Sequence, residues 1–321
     1  MIKALAITGP TASGKTAISI ELAKRLDAEI ISCDSMQIYK YMNIGTAKAT
    51  EDEQREVRHH MIDFLSPTED YSAESYRKEA LLAAEEIVSR GKTPIFVGGT
   101  GLYIDTLMRA PMTDVPESSR EYRDRIMADI KTEDDALELW RRLESVDPES
   151  AAAIHKNNLR RVIRALEIYD ATGKTKSYFD RLSKEKSKDI DIGMITLDFH
   201  NRDNLYSRVD KRVDVMMSEG LLDEVRSLFE GGLLKENTTA AQAIGYKEII
   251  QHLVGEITLD EAVALIKLST RRYAKRQLTW FRHEAMAHRL YLDLDSGSMR
   301  VAREIFDEAY SFANGYMKEK I

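Results

Sequence analysis

Short unbroken apolar runs alternate along this chain with longer stretches in which apolar residues recur every three or four positions. "KALAIT" (3–8), "AEIISCD" (28–34) and "KTPIFVGG" (92–99) read as buried strands. "ASGKTAISIELAKRL" (12–26) reads as a helix with Ile18, Leu22 and Leu26 on one face. "SAESYRKEALLAAEEIVSRG" (72–91) reads as a second helix, opened by a serine and closed by a glycine. Strands alternating with helices predict a parallel sheet covered on both faces.

From about Pro111 the pattern changes. Residues 117–182 keep a helical period with many charges and contain no strand-like run. "DIDIGMITLDF" (189–199) restores a strand, and "HRLYLDLD" (288–295) adds another. The expected fold is α/β: a P-loop parallel sheet flanked by helices, with an all-helical insertion domain. Its boundaries are read as a core of 1–111 with 189–321 and an insertion of 112–188, "SKEKSKD" (183–189) being the linker back to the core. His59 and His60 read as loop leading to a strand-like "MIDFL", without a role.

Composition narrows the class. With 321 residues and 43% apolar, the chain can bury a sizeable core. No apolar run is long enough to span a membrane, and "MIKALAITGP" is too short for a secretory signal. The single cysteine, Cys33, excludes an intrachain disulfide framework and reads as a small core residue. A cytoplasmic monomer without membrane contact is expected. The net charge of −7 argues against general coating of nucleic acid, yet permits a local basic groove.

Gly9-Pro10-Thr11-Ala12-Ser13-Gly14-Lys15-Thr16 matches G-x-x-x-x-G-K-[ST] and lies between a predicted strand and a predicted helix. Backbone N–H groups and the helix N-terminus would cradle phosphate. Lys15 adds a point charge, and Thr16 a hydroxyl suited to Mg²⁺. The strand that ends "IFVGGTGLY" lacks the carboxylate that a nucleoside-triphosphatase would carry there; it offers Thr100 instead. The strand-end carboxylate is Asp34, which can bind Mg²⁺, serve as a general base, or merely cap a helix. Gln37, three residues on, can donate and accept at once.

"NLYSRVDKRVDVMMSEGLLDEV" (204–225) reads as one helix with Val209, Val213 and Met216 inward. Arg208 and Arg212 share a face, either toward phosphate or as a solvated face with Asp210 and Asp214. "KLSTRRYAKRQLTWFRHEAMAHR" (267–289) carries seven Lys/Arg against one Glu. If helical, it aligns Ile266, Tyr273 and Trp280 for packing and gathers Arg272, Lys275 and Arg276 on a neighbouring face. "HKNNLRRVIR" (155–164) brings Arg160, Arg161 and Arg164 together. Two basic patches on an acidic chain suit a structured RNA.

"GPTASGKT", "DSMQIYKYMNIGTAK", "VGGTGLY", "RALEIY", "AIGYKE" and "RRYAKRQLTWFR" occur in series between residues 9 and 282. Together they resemble the tRNA dimethylallyltransferase (isopentenyltransferase) family. The resemblance implies Mg²⁺-assisted transfer of a dimethylallyl group from dimethylallyl diphosphate to the exocyclic amine of adenosine 37, beside the anticodon. It implies Asp34 as base, Thr100 and Arg208 on the diphosphate, residues 9–16 as the diphosphate cradle, and Thr16 as the metal contact. It implies tRNA contacts from Asp34, Ser35, Met36 and Gln37, from the segment 157–161 with Asn158, Arg160 and Arg161, and from the segment 242–247 with Gln242 and Gly245. At 155–161 the family often has "HPNDPQR" where this chain reads "HKNNLRR", with Asn158 and Leu159 departing from the pattern. The two basic clusters are expected to grip the anticodon stem-loop from opposite sides. The rival reading is a small-molecule or nucleoside kinase using the loop for ATP-binding; a non-catalytic RNA-binding nucleotide switch is a further one.

Overall fold

The computed structural model describes residues 1–111, 115, 119–183, 185–235, 238–284 and 286–319. The expected start of the insertion at 112, Lys184 in the linker and Ala285 in the basic stretch lie outside the described residues. The chain divides into two units, Met1–Asp105 with Asp189–Ile321, and Thr106–Lys188.

The first unit begins β1 (Ile2–Thr8), α1 (Lys15–Arg25), β2 (Ala28–Ser32), α2 (Glu51–Glu56), β3 (His59–His60), α3 (Ala73–Ser89) and β4 (Thr93–Gly98), and α4 (Gly101–Met108) carries the chain out of it. The second unit contains α5 (Arg120–Asp129), α6 (Glu133–Val146), α7 (Pro148–Ala153), α8 (Leu159–Thr172) and α9 (Lys176–Leu182). The first unit resumes with β5 (Ile190–Asp198), α10 (Arg202–Ser218), α11 (Leu221–Glu230), α12 (Tyr246–Leu253), α13 (Leu259–Arg282), β6 (His288–Tyr291) and α14 (Ala302–Lys318).

The six strands form one sheet in the order β3-β2-β4-β1-β5-β6, with every pair parallel. Strands buried on both faces need near-continuous apolar sequence, and "IKALAIT" and "IDIGMITLD" supply it. Leu5, Ile7, Ile95, Ile195 and Leu197 share a core with Leu22 of α1, Val209 of α10 and Ala309 of α14. A second cluster packs Ile38, Tyr39 and Met42, just after β2, against Val213, Leu221, Val225, Tyr246 and Ile266. It shapes the chain on the ligand side of the sheet, outside the carboxyl ends of the strands. In the second unit Leu143, Ala151, Ile154, Val162 and Leu166 form a core between α6, α7 and α8. Asp147 caps α7 through Ser150 N–H (3.1 Å) and also accepts from Ser177 N–H (3.0 Å), tying α9 to it.

Several elements differ from the reading of the sequence. Helix α1 starts at Lys15 rather than 12, because Gly14 stands in the left-handed region (φ 88°) as its N-cap and the preceding residues are loop. The stretch 204–225 is two helices, since Gly220 (φ 101°) breaks the chain between α10 and α11. His59 and His60 are themselves the edge strand, paired with Ile30 and Ile31, while 61–63 bend, with Met61 and Asp63 at positive φ, and of the strand-like "MIDFL" Leu65 makes an isolated parallel bridge to Tyr39. On α13 the buried stripe is Ile266, Ala274, Leu278 and Phe281; Tyr273 is half-buried and Trp280 is 39% exposed. A strict seven-residue spacing drifts about 20° per step around a straight helix, so the line from Ile266 through Tyr273 turns away from the core.

The edge strand is held by charge. Glu29 is buried and accepts from His60 Nε2 (2.7 Å) and Arg90 (2.7 Å), with the Lys92 ammonium at 3.5 Å. Burial opposes its ionisation, yet these hydrogen bonds hold the carboxyl down at about 2. Replacing it with glutamine leaves the basic groups without their counter-charge. With Arg90 and Lys92 about a third exposed, Glu29→Gln is expected to cost about 1–3 kcal/mol in a urea unfolding experiment. Because the folded pKa lies below the unfolded one, this stabilisation is complete above about pH 4.5 and is lost as pH falls toward 2.

Candidate active site

The site grows from the turn after β1. Gly14 and Ala12 (φ 62°) curl the backbone, and α1 presents its N-terminus to the concavity. Lys15 folds back over the loop, its Nζ donating to the carbonyls of Gly9 (3.1 Å) and Pro10 (2.7 Å). Burial and the nearby Arg212 charge lower its pKa to about 7, against the pull of Asp34. The Ser13 hydroxyl in the same loop is buried and has no partner among the described residues. A buried hydroxyl without a partner in such a loop fits a phosphate oxygen as its hydrogen-bond acceptor.

Two strand ends face this loop. Asp34 follows β2, and its Oδ1 accepts from Met36 N–H (2.9 Å) and Gln37 N–H (3.4 Å), so it caps the turn at 35–38; no helix follows it, which corrects the helix-cap alternative. Its Oδ2 takes no hydrogen bond from the described residues, and the carboxylate acts electrostatically on Lys15, Arg212 and Tyr273. Thr100 follows β4; its hydroxyl accepts from Ser35 N–H (3.0 Å), which ties the two strand ends together. Tyr273 of α13 hydrogen-bonds toward Thr100, and burial together with Asp34 pushes its hydroxyl above the ordinary range.

Helix α10 supplies the cations. Arg208 Nε donates to the Ala12 carbonyl (2.8 Å), so it lies on the phosphate loop. The two readings of this helix face separate here. Asp210 pairs with Arg271 (2.8 Å) and Asp214 with Lys267 (2.6 Å), both on α13, and neither neutralises Arg208 or Arg212. Arg212 is drawn into the site beside Lys15, Asp34 and Arg208. A cleft of about 840 Å³ opens from Gly14 and Thr16 past Arg208 and Arg212 to Ile44 and Lys48. Its far wall, residues 43–45, is fixed by Glu224, which accepts from three successive N–H groups (2.9, 2.8 and 3.2 Å) and from the Tyr246 hydroxyl (2.6 Å).

The residues named for RNA contact fall into three groups. Arg272, Lys275 and Arg276 are exposed along α13, and Arg276 lies 5.6 Å from the Tyr273 ring centre. In the second unit Asn158, Arg160 and Arg161 are exposed at the start of α8, whereas Arg164 is paired with Glu167 (2.6 Å). The rest are shaped by internal contacts. Met36 packs on the second core cluster, and the Gln37 amide bonds Ser32, Thr46 and Ala47 in this conformation. Gly245 is buried at φ 94° with its N–H on Glu248, and it presents the exposed Gln242 just before α12.

Sequence reading missed Gln277, Tyr273 and Glu224 and left Arg212 undecided. Glu224 had no local signal, since the N–H groups it holds lie some 180 residues away and Tyr246 lies 22 residues on. Gln277 had one: an uncharged polar residue beside the buried stripe of α13.

Oxygen donors for a metal are the Thr16 hydroxyl in the first turn of α1 and the Asp34 carboxylate. No cluster of three or more His, Cys, Asp or Glu suited to a metal occurs among the described residues. This donor set fits Mg²⁺ completed by diphosphate oxygens and does not fit an all-protein cage. No described helix is long and apolar enough to cross a membrane.

A family model for IPP transferase matches residues 37–284. The tRNA dimethylallyltransferase of Caldanaerobacter subterraneus subsp. tengcongensis is 42% identical over 99% of both chains. That of Carboxydothermus hydrogenoformans is 48% identical over 88% of this chain and 89% of the relative. The solved full-length tRNA isopentenylpyrophosphate transferase of Bacillus halodurans superposes with a TM-score of 0.71 at 39% identity, over 99% of this chain and 97% of that one. A eukaryotic dimethylallyltransferase captured acting on tRNA superposes with a TM-score of 0.76 at 28% identity, over 100% of this chain and 87% of that one. These relatives are transferases and lend nothing to the kinase reading. Motif order, sheet and length of match converge: the chain belongs to the IPP transferase family.

Proposed function

We propose that this enzyme transfers the dimethylallyl group of dimethylallyl diphosphate to the exocyclic amine of adenosine 37 in the tRNA anticodon loop. One observation carries the reading: Lys15, Arg208 and Arg212 gather at the phosphate loop while a carboxylate, Asp34, and a hydroxyl, Thr100, stand at the adjoining strand ends. The names of its relatives support the same chemistry.

The adenine amine is a weak nucleophile because its lone pair is shared with the ring. The allylic C–O bond, in contrast, breaks readily once charge on the departing diphosphate is met. The loop N–H groups, Lys15, Arg208 and Arg212 do that work, in a cavity that needs no solvent reorganisation. As the N–C bond forms, the C–O bond breaks and the diphosphate leaves into the cradle. The amine proton passes to the Asp34 carboxylate, Oδ2 being the oxygen that capping leaves open. Thr100 is tied to the Asp34 turn through Ser35 N–H, and in this reading its hydroxyl turns to donate to the leaving oxygen. Thr16 would hold Mg²⁺ against the diphosphate, where the ion supplies charge neutralisation. The base must leave its stack to enter, which single-stranded loop bases do at low cost.

Incubation with unmodified tRNA, labelled dimethylallyl diphosphate and Mg²⁺ is expected to put label into the tRNA at adenosine 37. Rapid ATP turnover with no label in RNA would abandon the reading. For the RNA, Arg160 and Arg161 supply two phosphate contacts from the second unit. The double change Arg160→Glu/Arg161→Glu is expected to weaken tRNA binding at least about tenfold and to lower the slope of log affinity against log salt by roughly 1.5–2. Filter binding at three salt concentrations measures both.

A further inference from the structure

Gln277 sits on α13 and is 5% exposed, among buried Ala274, Leu278 and Phe281. Its Oε1 accepts from Thr11 N–H (2.8 Å) in the phosphate loop, and its Nε2 donates to the Gly99 carbonyl (2.9 Å) next to Thr100. The chemistry of the partners fixes which end is which: an N–H requires the oxygen, and a carbonyl requires the nitrogen. No other neutral side chain of this length donates and accepts in this way, and methionine or leucine would fill the space without either bond. A Cβ on Gly99 would lie 2.1 Å from Nε2, so the glycine is the counterpart of the amide. The Thr11 N–H is thereby consumed, and the phosphate must be held by the remaining N–H groups of the loop. The helix bearing Gln277 also bears exposed Arg272, Lys275 and Arg276.

We infer that Gln277 is a positioning residue, whose amide sets the separation between the diphosphate cradle and the Gly99–Thr100 turn and so aligns leaving group with acceptor. The inference rests on the transferase reading above. It goes beyond it by assigning the alignment to one bridging amide on the helix with the basic face. Misplacement of reacting groups by an ångström costs up to about 100-fold, so the effect is expected in kcat rather than in tRNA affinity.

The test uses the wild type, Gln277→Met and Gln277→Glu in single-turnover transfer assays, with tRNA binding measured alongside. Gln277→Met is expected to lower kcat by about 10- to 100-fold, with tRNA affinity changed less than about twofold. Gln277→Glu separates positioning from packing. A protonated carboxyl keeps both bonds, through its O–H to Gly99 and its carbonyl oxygen to Thr11. A carboxylate loses the first and repels the Gly99 carbonyl. The titratable groups facing this point are Tyr273 on the same helix, Lys15 under the loop and Asp34 across the site. Gln277→Met carries the same groups without a new carboxyl, so a pH dependence seen in Gln277→Glu and absent from Gln277→Met belongs to the introduced carboxyl and the neighbours it couples to. The ratio of Gln277→Glu to wild type is expected to recover toward one as pH falls through the carboxyl pKa, between about pH 8 and pH 5. A pH-independent Gln277→Glu deficit, or wild-type kcat in Gln277→Met, overturns the inference. Should Gln277→Met fail to fold, the Gln277→Glu profile decides. A wild type that transfers nothing overturns the transferase reading itself, and the inference falls with it.

Discussion

Asp34→Asn is expected to reduce the single-turnover rate of prenyl transfer by about 10²- to 10⁴-fold while leaving tRNA affinity intact. The geometry makes this substitution unusually clean. Asp34 Oδ1 accepts from Met36 N–H and Gln37 N–H, and an asparagine oxygen can accept both bonds unchanged. The turn therefore persists, as does the bond from Ser35 N–H to Thr100. What disappears is the second oxygen as a proton acceptor, because an amide nitrogen accepts none. The negative charge beside Lys15 and Arg212 disappears as well, which removes a repulsion on the diphosphate but also the pull that favours protonated Lys15. The expected variant is thus a stable, slow enzyme that holds both substrates. Quench-flow with labelled donor, alongside tRNA binding, checks it. A rate within about threefold of wild type would remove Asp34 from the proton transfer.

The second large effect concerns Lys15. Removing one preorganised charge from an anion cradle costs about 10²- to 10³-fold, and Lys15→Met is expected to lose that much kcat/KM for the diphosphate donor. The native lysine also predicts a pH signature. Its pKa in the ligand-free site is lowered to about 7, chiefly by burial and then by Arg212. A bound diphosphate favours the charged form, so binding above pH 7 takes up a proton. Affinity for inorganic diphosphate should then fall by up to about tenfold per pH unit as pH rises from 7 toward the bound-state pKa. Calorimetry in two buffers of different ionisation enthalpy reads the uptake directly. Comparison with Lys15→Met subtracts the ligand's own titration, and equal uptake in both proteins would contradict the assignment. The same shift bears on stability with a definite sign. Between about pH 7 and the unfolded value near 10.5, the unfolded chain binds more protons. Stability from this group therefore rises with pH across that window.

The two substitutions probe opposite ends of one electrostatic arrangement. Lys15, Arg208 and Arg212 are three cations converging on a single loop, with Asp34 as the carboxylate drawn among them. Such convergence is costly in a ligand-free protein. It is compensated where a polyanion binds, which is why the aspartates of α10 are directed elsewhere, onto Arg271 and Lys267.

Much of this was legible in the chain. The phosphate loop, its strand and its helix are local, and residues 9–16 needed only glycine conformations and a helix N-terminus to declare themselves. The parallel sheet followed from unbroken apolar runs separated by helical stretches, because strands covered on both faces leave no polar alternation. Asp34, Thr100 and the exposed basic residues of α13 were each visible from their own neighbours. The edge strand at His59–His60 was not. Two residues carry no periodicity, and only pairing with Ile30 and Ile31, locked by Glu29, makes them strand.

What the tertiary structure alone decided is which groups meet. Sequence spacing put Arg208 and Arg212 on one helical face with Asp210 and Asp214 but could not say which charges would pair, since that depends on a helix packed against them from 61 residues away. It could not reveal that Gln277 closes a bridge between residues 11 and 99, or that Glu224 holds the far wall of the cleft at residues 43–45. Local propensity is encoded within a few residues. A site built from the ends of separate strands and helices exists only once the sheet has set their separation.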